Sequence, residues 1–193
     1  MRTRYRALVI ILVLVGICTW FLHNGQYKLD PLQAARSSSQ VGKDAGLFGQ
    51  VDYPWGKIYL FKNAQGSLSV LVTKTGFLWQ NQGAMHIKET TDKVKTLCWK
   101  RVISGYSHEA TVLAVQSEDE KVAFIEAGKG SRRIKKEIKP GIPVIFSWDE
   151  ALELTEVNAT ALSSQGTVLY DYRYPRNNPS VTIEDLRWYS TRR

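Results

Sequence analysis

The hydrophobic pattern of this chain changes its period once. It begins as an unbroken apolar run, Ala7–Leu22 (ALVIILVLVGICTWFL), which has no charged residue and follows Arg2, Arg4 and Arg6. A membrane-spanning helix takes roughly 20 apolar residues, with a range of about 17–25. Tyr5, Thr19 and His23 at the interfaces, with snorkelling arginine stems, bring this run to that length. Lys and Arg beside a span stay cytoplasmic. The pattern predicts a cytoplasmic N-terminus over 1–6, a transmembrane signal anchor over 7–23, and an extracytoplasmic remainder. Two other routes lead to the same side of the membrane: a signal peptide cut near Gly16-Ile17-Cys18, and a lipoprotein with Cys18 lipidated. The anchor is preferred because apolar residues continue past the cut, and because Ile17 is large where lipidation wants a small residue.

Residues 24–46 predict a short helix and a linker. Asp30 is a good N-cap, Pro31 suits the first helical position, and Leu32 and Ala35 give one apolar face. From Leu47 the period becomes that of strands, which predicts one β domain over 47–193. Lys57–Lys62 and Ser67–Thr73 flank Asn63–Gly66 and predict a hairpin, with Leu68, Val70 and Val72 on one face. Gly76–Trp79, Ala84–Glu89 and Val94–Val102 follow as further strand-like segments. Ala110–Gln116 and Lys121–Glu126 predict a second hairpin closed by the acidic turn Ser117–Glu120. Arg132–Lys139, Ile142–Trp148, Thr155–Leu162 and Thr167–Tyr174 continue the series, with turns at Pro140-Gly141 and Gln165-Gly166. Val181–Trp188 reads equally as a strand or a helical turn. The fold class is mainly β: an antiparallel sandwich or barrel-like domain, immunoglobulin-like in part, behind a transmembrane helix.

Charge adds a direction to this picture. The 193 residues carry 26 Lys+Arg and 18 Asp+Glu, a net charge of +8. Without the three N-terminal arginines the balance is 23 against 18, or +5. That excess suits either solubility or contact with anionic lipids and envelope polymers. Nucleic acid is set aside, because the predicted orientation places the domain across the membrane from it. Of the two cysteines, Cys18 lies in the anchor, so Cys98 has no partner for an intradomain disulfide and reads as a buried apolar filler.

No catalytic, cofactor or metal signature stands out. His23, His86 and His108 are not at metal-ligand spacing with another His or Cys, and no motif supplies a partner for a catalytic base. Glu118-Asp119-Glu120 lacks the spaced oxygens of a calcium loop. Asp149, Glu150, Glu153 and Glu156 beside Trp148 echo a carboxylate-plus-aromatic sugar site, without a fixed separation. The densest local feature is basic: Lys129, Arg132, Arg133, Lys135, Lys136 and Lys139 fall within eleven positions. As a strand it is a contact for teichoic-type polymers or lipid headgroups, or an edge that lysines protect from aggregation. Tyr170, Tyr172 and Tyr174 alternate onto one face, expected in the core and otherwise a partner surface.

The order of Tyr27–Ala35 (YKLDPLQAA), Gly56–Asn63 (GKIYLFKN), Gly76–Trp79 (GFLW) and the A-x-x-x-x-G-x-V-L-Y ending at 161–170 resembles small, uncharacterised, membrane-anchored proteins of spore-forming Gram-positive bacteria. The resemblance implies a bacterial surface location and a β-rich domain, and supplies no catalytic residue. The expected function is a non-enzymatic binding or interaction module of the cell envelope. A glycan-acting envelope enzyme and an accessory subunit of a membrane protein complex are the alternatives.

Overall fold

Asp30 starts the helix its position predicts. Its Oδ1 accepts from the Gln33 backbone N–H at 2.8 Å, Pro31 takes the first helical place, and helix α1 runs Pro31–Arg36 with Ala34 and Ala35 buried. The computed structural model describes residues 9–13, 16, 27–104, 108–176 and 185–191. Most of the predicted anchor, Cys18 and residues 181–184 of the undecided tail lie outside these. Within 7–23, residues 9–13 and 16 are helical. Among the described residues no helix is long and apolar enough to cross a membrane.

The rest is mainly antiparallel β-structure that divides into two compact units. One comprises residues up to Phe61 with Ser69–Met85; the other comprises Lys62–Leu68 and residues from His86 on. The predicted single β domain over 47–193 is therefore strand-rich throughout, but clustered twice. Strands β1 (Tyr27–Lys28), β2 (Gly46–Tyr53), β3 (Gly56–Asn63), β4 (Gly66–Thr75) and β5 (Leu78–Lys88) form a sheet in the order β1-β5-β4-β3-β2. Two-residue connections join β2 through β5, which only antiparallel neighbours allow. The predicted first hairpin is present. Asn63 Oδ1 caps its turn by accepting from the N–H groups of Gln65 and Gly66. Gly66 has φ +142°, and a Cβ there would lie 2.2 Å from the Ile87 carbonyl oxygen, so only glycine fits. Two expectations change. Gly76–Trp79 and Ala84–Glu89 belong largely to one long strand, β5. Ser67 and Ser69, on the polar face of the alternation, are buried with Leu68 and Val70 because β4 is central and covered on both faces.

In the second unit, β6 (Val94–Ser104), β7 (His108–Ser117) and β10 (Val144–Trp148) form a sheet in the order β10-β7-β6. Strands β8 (Phe124–Ala127), β9 (Ile134–Glu137), β11 (Thr160–Leu162), β12 (Val168–Arg173) and β13 (Arg187–Ser190) form another, ordered β13-β12-β11-β8-β9. The predicted hairpin of Ala110–Gln116 with Lys121–Glu126 is thus overturned. β7 pairs with β6 and β10, while β8 pairs with β9 and β11. The acidic turn is a crossing between sheets: Glu118 N–H donates to the Lys93 carbonyl and Gly141 N–H to that of Ser117. Thr155–Val157 is also not strand. Glu153 and Glu156 form a capping box around a one-turn helix α2 (Leu154–Val157), and Asn158 at φ 38° ends it. The tail residues Arg187–Ser190 are strand, paired with β12.

Both sheets close on one core that includes Leu113, Val115, Ile125, Phe146, Trp148, Val157 and Trp188. Where the backbone ladders stop, side chains bridge the free edges. Trp188 Nε1 donates to Thr96 Oγ1 at 3.0 Å between β13 and β6. Trp148 Nε1 donates to the Arg132 carbonyl at 3.2 Å, and Lys136 Nζ to the Ile145 carbonyl at 2.6 Å, on the β10 and β9 side. The unit is therefore barrel-like, with two side-chain seams. Replacing Trp188 by Phe keeps most of the ring but strips the donor, and a net hydrogen bond is worth about 1 kcal/mol. Trp188→Ala also empties the core, at about 3–5 kcal/mol. Denaturant midpoints that fall in that order, Phe before Ala, are the expected result.

Candidate functional site

The basic segment does not lie flat as a single strand. Lys129 leads into a 3₁₀ turn over Gly130–Arg132, and the segment pairs as a strand over Ile134–Glu137, as β9. This break sends the first three cations toward glutamates of neighbouring segments. Lys129 Nζ meets Glu156 Oε1 at 2.5 Å, Arg132 Nη1 meets Glu150 Oε2 at 2.7 Å, and Arg133 Nε meets Glu126 Oε1 at 3.0 Å. Arg133 also donates to the carbonyls of Gly128 and Asn158 and to Thr160 Oγ1. Its guanidinium fork thus ties the 3₁₀ turn to the loop before β11.

Two of these pairs, Lys129 with Glu156 and Arg132 with Glu150, join the two clusters that sequence reading treated separately. Glu153, the third glutamate of the loop, pairs with Arg101 at 2.9 Å. The loop backbone is fixed as well: Thr111 Oγ1 donates to the Glu150 carbonyl and accepts from the Leu152 N–H. A sugar site needs a carboxyl group held protonated beside an open aromatic face. Here the hydrogen bond from Lys129, then that from the Glu153 N–H, pulls the Glu156 carboxyl below its usual range. Trp148 is 5% exposed and stacked on Phe146, so its ring belongs to the core.

The remaining basic residues point elsewhere. Lys135, Lys136 and Lys139 are exposed, and none has a carboxylate within ion-pair distance among the described residues. Lys135 Nζ sits 4.2 Å from the Phe124 ring centroid and Lys136 Nζ 5.3 Å from that of Phe146, while the Lys139 backbone bridges to Ile142. Among the described residues β9 is an edge strand, bonded by its backbone to β8. Sequence reading assigned all six cations one role, and the structure divides them three and three.

The other candidates are placed as follows. Cys98 is buried. His86 is exposed on β5 and His108 half-buried at the start of β7. Among the described residues no three His, Cys, Asp or Glu are grouped to hold a metal ion. Tyr172 is tilted against Trp188 at 5.2 Å, and burial pushes its phenol up to about 12. Tyr170 donates to Asp119 Oδ2 at 2.7 Å, so the tyrosine face packs on the core and reaches the acidic turn. Sequence reading missed a pocket of about 450 Å³ lined by Asp171, Arg173, Pro175, Arg176 and Tyr189. Arg173 stacks on the Tyr189 ring there at 4.5 Å, but its Nε is closed off from solvent. No protein-family model, curated protein or solved structure matches the chain.

The acidic turn makes a pH prediction. The hydrogen bond from Tyr170, then that from the Lys121 N–H, lowers the Asp119 carboxyl from its usual value. A depressed folded-state pKa contributes stability that is complete above the unfolded value of about 4 and lost as pH falls through the folded one. Tyr170→Phe should return Asp119 toward the ordinary carboxylate range in an NMR titration. Its stability deficit should be largest above about pH 5 and shrink in acid.

Proposed function

We propose that this chain is a single-pass, membrane-anchored, non-catalytic interaction module of the bacterial cell envelope. In this reading residues 7–23 span the membrane with the N-terminus inside, and a β-sandwich or barrel-like domain, part immunoglobulin-like, stands outside. Support for the anchor comes from the run itself and from Val9–Val13, which are helical, apolar and 49–62% exposed. The bacterial surface location rests on the resemblance carried by Tyr27–Ala35, Gly56–Asn63 and Gly76–Trp79.

The observation that carries the binding role is the lysine edge of β9. Lys129, Arg132 and Arg133 are neutralised by Glu156, Glu150 and Glu126, and their work is internal. Lys135 and Lys136 on β9 and Lys139 just beyond its end remain exposed cations without an ion pair among the described residues, which suits an anionic polymer or a headgroup surface. The carboxylate loop offers no comparable support for glycan chemistry, because its three glutamates are held in ion pairs.

A salt titration of binding to anionic envelope polymer and anionic vesicles tests this. Binding should weaken as salt rises, since exposed charges are screened beyond about 8–10 Å at physiological ionic strength. Lys135→Gln and Lys139→Gln together should sharply weaken that salt-dependent binding while leaving stability within about 1 kcal/mol of wild type; Lys136 is kept, because its Nζ also bonds the Ile145 carbonyl across the seam. Arg133→Ala should do the reverse, costing about 2–3 kcal/mol by unpairing Glu126 and two carbonyls. Absence of binding even at low salt would remove the electrostatic module.

A further inference from the structure

We infer that one end of the first unit, built from the β2–β3 and β4–β5 turns and the residues after β1, docks on the lipid headgroup surface beside the anchor. The inference rests on the reading of residues 7–23 as a span, and concerns residues outside the basic segment.

Phe77 is 75% exposed, more than any other large hydrophobic among the described residues, and Leu29 is 63% exposed. They share one end of the sheet. Lys28 lies opposite Trp79, which places Leu29 beside Leu78 and one step from Phe77. The Lys74 N–H donates to the Trp55 carbonyl at 3.2 Å, so the two turns are tied together at this end. Behind the apolar tip is a collar of aromatic rings and ammonium groups. Trp55 stacks on Tyr53 at 5.3 Å, and the Trp79 ring has Lys57 Nζ at 6.0 Å and Lys74 Nζ at 5.9 Å.

Charge complementarity favours a lipid surface as the occupant. Of the nearby acids, Asp52 is paired with Lys57 at 2.9 Å and Asp30 caps helix α1. Lys74 is exposed and makes no ion pair among the described residues. An apolar tip, half-buried tryptophans above it and lysines at the same level match the layers of a bilayer interface: acyl boundary, ring-lined headgroup zone and phosphates.

Chain length supplies the second argument. Five residues carry the backbone from Leu22 to Tyr27, at most ~18 Å. Tyr27 pairs with Gln80, which is three residues, or ~10 Å, from Phe77. The tip therefore stays within ~30 Å of the end of the apolar run. At that tether length the effective concentration is high, and even a weak contact is occupied.

The full chain in nanodiscs containing anionic lipid tests this, with an environment-sensitive fluorophore on Phe77→Cys in a Cys18→Ser background, buried Cys98 being shielded from the reagent. The expected result is blue-shifted emission, quenching by headgroup nitroxide lipid and protection from aqueous iodide, with Lys74→Glu reversing all three. Alkaline carbonate extraction of the same chain from vesicles is run alongside. Retention in the membrane with an iodide-quenched label overturns the docking and leaves the anchor standing. Release by carbonate overturns the anchor and the docking with it. A label shielded from both quenchers assigns the tip to a protein contact and equally overturns lipid docking.

Discussion

A sheet cannot stop without leaving a row of backbone donors and acceptors, and the second unit has two sheets to finish. Its answer is to bring the free edges together in pairs and bridge them with side chains instead of a ladder. Trp188 reaches Thr96 at one seam, and Trp148 and Lys136 reach the carbonyls of Arg132 and Ile145 at the other. Each indole also packs in the shared core, so one residue supplies both apolar burial and the closing hydrogen bond. The order of strands, the crossing at Ser117–Lys121 and the break in the basic segment all serve this closure.

The same requirement explains the fate of the charges. The 3₁₀ turn over Gly130–Arg132 puts the Arg132 carbonyl where Trp148 can find it, and that turn is held by Arg133. Arg132, Lys129 and Arg133 then face the glutamates of neighbouring segments, and two clusters that each looked like a site become one electrostatic latch. What is left without a carboxylate partner among the described residues is a smaller feature, Lys135 and Lys136 on β9 and Lys139 just beyond it. Lysines on such an edge also discourage pairing with another chain, which meets a folding need whatever else they contact.

Much of the fold was legible in the sequence because local rules decide it. The Asp30 cap, the Asn63–Gly66 turn and most strand segments follow from side-chain chemistry and period-two alternation. Strand partners were not, since Ala110–Gln116 and Lys121–Glu126 have the spacing of a hairpin and only long-range pairing sends them to different sheets. Thr155–Val157 alternates like a strand, yet the reciprocal bonds of Glu153 and Glu156 make it helical. The Glu-x-x-Glu spacing was the available signal. For the candidate site, residue types and positions were readable, but their division was not. Opposite charges on Arg132 and Glu150 and on Lys129 and Glu156 gave a hint that the basic run and the carboxylate loop would neutralise one another, and the 3₁₀ turn over Gly130–Arg132 decided which cations took part.

The closure of the second unit is tested most directly by hydrogen exchange at the indole N–H groups of Trp148 and Trp188. If both seams are integral to the fold, both protons exchange as slowly as the central amides of β7, and they are released together with them in global unfolding. Fast exchange of either indole while the β7 amides stay protected would show that seam open in the native state, and would contradict the account.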